Sequence, residues 1–154
     1  MPLGVLEYTW KESGYWAMVT LPPDRIPATA DESRYLEAIS AMARVGGPAA
    51  ARTAYAAFLG RWPDNLPAAI GLANAHYALG QLGEAEQVLR QAADRHPDSV
   101  AVLNNLAQTL SDQGKHDEAL TVIDRAAGEK GAFATAVAET RAEILKKMGG
   151  GVAE

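Results

Sequence analysis

The residues able to do chemistry are few and poorly spaced for it. The histidines are His76, His96 and His116. A spacing of 20 is not a helical period, so nothing in the pattern puts them on one face. A metal site needs such ligands to converge with carboxylates on one point. The acids Glu84, Glu86, Asp117 and Glu118 stand instead where helices open, and there negative charge suits the positive end of the helix. With no cysteine in the chain, thiol catalysis, disulfides and zinc-thiolate sites are excluded and the redox compartment is left open. No glycine-rich phosphate loop and no nucleophile motif occurs. The expectation is a chain without catalytic, cofactor-binding or metal-binding residues, whose histidines are solvated or half-packed.

Composition narrows the function further. Hydrophobic residues make up 48% and charged residues 21%, as in an ordinary globular protein. The net charge is −5, and the 14 basic residues are scattered, so no nucleic-acid surface is expected. The closest basic pair, Lys146-Lys147, falls at a helix end that favours cations. No run of about 18 apolar residues occurs, so no membrane insertion is expected. Met1-Pro2-Leu3-Gly4 lacks the basic and apolar regions of a signal peptide.

The elements that must position any site come from a 34-residue echo. Pro63, Leu72, Ala73, Gly80, Ala85 and Ala92 recur as Pro97, Leu106, Ala107, Gly114, Ala119 and Ala126. A period of this size marks a repeat array. In each unit a first helix ends at a glycine able to make a tight turn. The second helix sets two alanines seven apart on one stripe, which lets helices approach closely. Val88-Leu89 and Val122-Ile123 supply bulk between them. The proline then stops the helix, and Asp98 or Ser99 caps the next.

Reading the register backwards gives a divergent first unit over 32–63, with Gly46 at the turn, Ala51 and Tyr55 in the second helix, and Phe58 where the later units have alanine. Thr29 with Glu32 reads as a capping box for its first helix. At the other end, 132–148 predicts an amphipathic helix with Phe133, Val137, Ile144, Leu145 and Met148 on one side, covering the last repeat. Gly149-Gly150-Gly151 should end it. The expected fold is all-α: a solenoid of helical hairpins with about seven helices, in units 32–63, 64–97 and 98–131 plus a cap, behind a short N-terminal β-hairpin or extended segment.

Period and positions resemble the tetratricopeptide repeat (TPR) family over about 32–148. The sequence departs from the family where Trp is common in the first helix: Ala69 and Leu103 stand there, with Tyr35 in the first unit. The resemblance implies a protein or peptide partner in a concave groove lined by first helices. Carried through the register, its positions are Ser33, Leu36, Ser40 and Arg44, then Pro67, Ile70, Asn74 and Tyr77, then Ala101, Asn104, Asn105, Gln108 and Ser111. Asn and Gln can grip a peptide main chain with paired donors and acceptors, and Ile70 and Tyr77 can receive an apolar anchor. A groove merely facing water would show the same polar residues. The Lys and Arg residues of the chaperone-binding carboxylate clamp are missing here, so recognition of an acidic C-terminal tail is not expected.

Residues 1–27 follow a different pattern. Leu6, Tyr8 and Trp10 alternate with polar neighbours, and Tyr15-Trp16-Ala17-Met18-Val19-Thr20-Leu21 predicts a second strand, followed by a proline-rich linker. A lone hairpin is marginal in water, so it reads as the remnant of an upstream domain. Tyr8-Thr9-Trp10 and Gly14-Tyr15-Trp16-Ala17-Met18-Val19, with Leu21-Pro22-Pro23 and Pro27, resemble the end of a C39-like, papain-like peptidase domain. Some bacterial proteins join such a domain to a TPR array, often as exported lipoproteins. None of that family's catalytic positions lies in this chain. Three functions stay open: a non-catalytic protein-binding module of a larger protein, a recruiting or regulatory part of such a peptidase, and a self-association module making a homodimer through residues 1–21.

Overall fold

The computed structural model describes residues 28, 30–128 and 130–150. Among them are six helices and no strand. The predicted N-terminal hairpin lies outside the described residues. The chain divides into two compact units, up to Leu79 and from Gly80 onward.

The first unit holds α1 (Glu32–Arg61) and α2 (Leu66–Ala78). Asp31 caps α1, its side chain accepting from the Arg34 amide at 2.9 Å. The expected capping residue, Thr29, is thereby displaced by two positions and lies outside the described residues. Inside α1 the backbone breaks at Gly47, with φ 79° and ψ 177°. This makes two arms, 32–46 and 48–61, and brings the helical segments to the seven expected. The break falls one residue after the Gly46 that the register predicts. Pro48 explains the shift. A residue preceding proline is driven out of the α region, glycine alone takes positive φ freely, and proline is suited to open the next helix.

The arms and α2 pack through small residues and one aromatic cluster. Ala38, Ile39, Ala51 and Ala54 are buried on α1, and Ala68, Leu72, Ala73 and Ala75 on α2. The Phe58 ring lies 5.6 Å from Tyr35 and 4.7 Å from Trp62, centroid to centroid. Burial pushes the Tyr35 hydroxyl up to about 12. Asn65 caps α2 by accepting from the Ala68 amide, and its Nδ2 donates to Glu32 Oε1 at 2.8 Å, joining the beginnings of the two helices.

The second unit holds α3 (Leu82–Arg95), α4 (Val100–Asp112), α5 (His116–Arg125) and α6 (Ala134–Gly150). Gly80 and Gly114 take φ 74° and 80°, as a turn glycine should. Ser99 caps α4, accepting from the Val102 amide. The small-residue stripe is real: Ala85, Ala92, Ala119 and Ala126 are all buried, with Leu89, Leu106, Leu110 and Ile123 filling the space between helices.

Helix α6 packs against α4 and α5, as a cap should, but it differs from expectation in face and extent. Val137 and Ile144 are buried, whereas Phe133 is 50% exposed and Leu145 41%. Phe133 precedes the first helical residue, so the helical period does not govern its direction. The helix also continues through Gly149 and Gly150 instead of stopping before them.

Candidate functional site

The groove residues predicted in the first unit lie on two facing elements. Leu36, Ser40 and Arg44 are on the first arm of α1, and Ile70, Asn74 and Tyr77 on α2. Three of them, Ser40, Arg44 and Asn74, line one cleft of about 480 Å³. Its remaining walls are the small residues Ala43, Gly47, Pro48, Ala51, Gly71, Ala75 and Ala78, with Tyr55 among them.

The cleft owes its shape to a close approach. A Cβ built on Gly71 would lie 2.5 Å from the Tyr55 ring. Glycine here lets the ring lie flat against α2, where it is only 8% exposed, and its hydroxyl reaches Ser40 Oγ at 3.3 Å. The register marks Tyr55 only as bulk and gives Gly71 no role. The signal is nonetheless present: 34 residues on, the pair becomes Leu89 and Asn105, a smaller side chain matched by a larger one.

Arg44 is exposed and Tyr77 is 37% exposed, so both reach solvent. Leu36 and Ile70 are half-buried. In the second unit, Asn104, Asn105, Gln108 and Ser111 all lie on α4. Gln108 is exposed and the two asparagines are half-buried. Asn104 Oδ1 is buried with no hydrogen-bond partner among the described residues. A buried acceptor in that state is costly, so it favours any incoming donor. Ser111 does not serve as a groove contact: it is 4% exposed and its Oγ lies 3.4 Å from His116 Nδ1. It closes the α4–α5 turn instead.

The histidines are dispersed in the chain's elements. His76 is on α2, His96 ends α3 and His116 begins α5. Among the described residues, no group of three His, Asp or Glu side chains could hold a metal.

The acids behave less uniformly than their positions suggested. Glu84 sits in the first turn of α3, where its charge suits the helix end. Glu86 is instead the hub of an ion network. Its Oε2 accepts from Lys115 Nζ and Gln113 Nε2, both at 2.7 Å. Its Oε1 accepts from Arg90 Nε at 2.8 Å, and Arg90 Nη2 continues to Glu118 Oε1 at 2.6 Å. Burial pushes the Glu86 carboxyl up, but the hydrogen bonds from Lys115, Gln113 and Arg90 more than reverse this and hold it at about 2. The network ties α3 to the α4–α5 turn. It thereby fixes the position of the repeat.

Profiles of the tetratricopeptide repeat match residues 29–98 and 70–135. Residues 29–135 belong to the tetratricopeptide repeat family. The fold is like that in the crystal structure of a thermophilic TPR protein in Thermus thermophilus, at a TM-score of 0.67. That likeness covers 96% of this chain and 80% of the other at 19% identity, and so speaks for the TPR fold alone. A curated relative, the chloroplastic PsbD mRNA maturation factor Nac2 of Chlamydomonas reinhardtii, is 37% identical over 71 residues. The stretch is 46% of this chain but only 5% of that protein. The TPR matches begin at residue 29. The peptidase resemblance falls on residues 1–27, before that start and outside the described residues.

Proposed function

We propose that this chain is a non-catalytic module that binds a protein or peptide on the faces of its first helices: the first arm of α1, α2 and α4. The observation that carries this reading is the cleft of the first unit. It is small-walled and open, it is edged by Ser40, Arg44 and Asn74, and it stands where the register independently puts partner contacts. Membership of the TPR family supports a binding role. The relative's name as an mRNA maturation factor does not transfer RNA binding to this chain, whose net charge of −5 disfavours a phosphate backbone.

Preorganisation is the mechanism. Helices fixed by buried alanines, capped ends and positive-φ glycines hold the contact residues before a partner arrives, so less ordering entropy is lost on binding. Ile70 and Tyr77 offer apolar contact, while Asn74, Asn104, Asn105 and Gln108 offer amides to a peptide main chain.

The test is the Asn74→Ala, Asn104→Ala double variant of the full chain in an affinity capture from the cells that make it. Partner recovery should fall severalfold while the thermal unfolding curve stays nearly unchanged. Undiminished recovery, or a large drop in Tm, would mean that these residues are solvated or structural.

A further inference from the structure

The cleft of the first unit has a chemical sign. Arg44 is the sole charged side chain lining it, and no carboxylate does. Among the described residues Arg44 has no ion-pair partner. A guanidinium presents five N–H donors in a fork that fits a carboxylate. The second donor comes from the hydroxyl pair. Ser40 and Tyr55 carry two hydroxyl hydrogens but share a single contact at 3.3 Å. One O–H is therefore left to donate outward. The walls beside these donors are small and apolar, Ala51 and Ala75 among them, and leave room for an apolar neighbour.

A pocket that offers an unpaired cation, a spare O–H and small apolar walls is complementary to an anionic acceptor flanked by small residues. We propose that this cleft selects the side-chain carboxylate of an internal Glu or Asp in a bound peptide, with alanine-sized neighbours seated against Ala51 and Ala75. The proposal rests on the first-helix binding reading and specifies its ligand. It needs one guanidinium and one carboxylate, and so does not depend on the multi-cation clamp that the sequence lacks. In the 34-residue register Arg44 is replaced by Ala78 and then Asp112, and Tyr55 by Leu89 and then Ile123. The preference therefore belongs to this unit and is not repeated along the chain.

The test uses the full chain, isotope-labelled, titrated in NMR with three capped peptides: acetyl-Ala-Glu-Ala-Ala-amide, its Gln counterpart and its phosphoserine counterpart. The expected result is amide shifts confined to 40–55 and 71–78, with the Glu peptide binding about tenfold tighter than the Gln peptide. In Arg44→Gln that preference should collapse toward unity, and in Ser40→Ala it should fall partway, with both variants melting like the parent. Equal affinity for Glu and Gln would overturn the acidic preference and leave the first-helix reading standing. A phosphoserine peptide binding tenfold tighter than Glu would overturn the carboxylate assignment. No shift in the cleft from any of the three would sink both.

Discussion

Residues 32–78 and residues 82–125 follow one register but are held by different forces. The first hairpin is closed by rings: Tyr35, Phe58 and Trp62 cluster where the positions 34 residues on hold Ala69, Ala92 and His96. The second closes on aliphatic side chains, Leu89, Leu106, Leu110 and Ile123, and adds a charged tie through Glu86, Gln113, Lys115, Arg90 and Glu118. In the first unit Tyr55 lies flat against Gly71 among small residues, and an open cleft results. In the second unit the residues corresponding to Gly71, Ala75 and Ala78 are Asn105, Thr109 and Asp112. Thr109 returns its hydroxyl to the Asn105 carbonyl, and Asp112 accepts from Lys147. The first unit leaves an open cleft, whereas at the matching positions of the second the polar groups of Thr109 and Asp112 are engaged in bonds within the chain.

The largest effect is expected at Phe58. Its side chain is fully buried between two rings, so Phe58→Ala should cost about 3–5 kcal/mol in a denaturant titration. A loss below about 1 kcal/mol would show that the aromatic cluster does not hold the hairpin.

Gly71 gives the next largest effect. Alanine is normally about 1 kcal/mol better than glycine inside a helix. Here its Cβ would collide with a ring that has little room to move, and overpacking costs about 1–3 kcal/mol. Gly71→Ala should therefore destabilise, and adding Tyr55→Leu should restore the ordinary alanine advantage. A single variant as stable as the parent would remove Tyr55 from the account of the cleft.

Glu86 tests the charged unit through pH. Its folded pKa, about 2, lies below the ordinary carboxylate value of 4.5. Its contribution is thus complete above about pH 4.5 and is lost as pH falls toward 2. Glu86→Gln should lower stability by about 1–3 kcal/mol at neutral pH, and the gap should close between pH 4.5 and 2. A gap independent of pH would mean that the residue acts by packing.

The smallest effect is expected at Asn104. Removing a buried acceptor without a partner should leave Tm unchanged or slightly raised. A clear fall would show that Oδ1 is satisfied in solution.

Legibility in the sequence followed the range of the interaction. Features set by local chemistry were readable: the turn glycines Gly80 and Gly114, the Ser99 cap, and the buried alanine pairs. The break at Gly47 lies one residue from the position that the 34-residue register gives, because the local effect of Pro48 overrides the register. The Glu86 network joins residues 27 and 29 positions apart, which no helical period relates. Ser111 falls in the groove by register, yet its partner His116 lies across a turn. The cleft was half legible. Ser40, Arg44 and Asn74 followed from the repeat, whereas Tyr55 and Gly71 required knowing that a ring and a missing Cβ meet.

The central claim is that partners meet the first helices. The most direct measurement is site-specific photo-crosslinking of the full chain in the cells that make it. A photoreactive residue would replace Gln108 on the exposed face of α4 or, in a second chain, Gln91 on the exposed face of α3. A discrete crosslinked partner is expected from position 108 and none from position 91. The same partner from position 91, with none from 108, would contradict the claim.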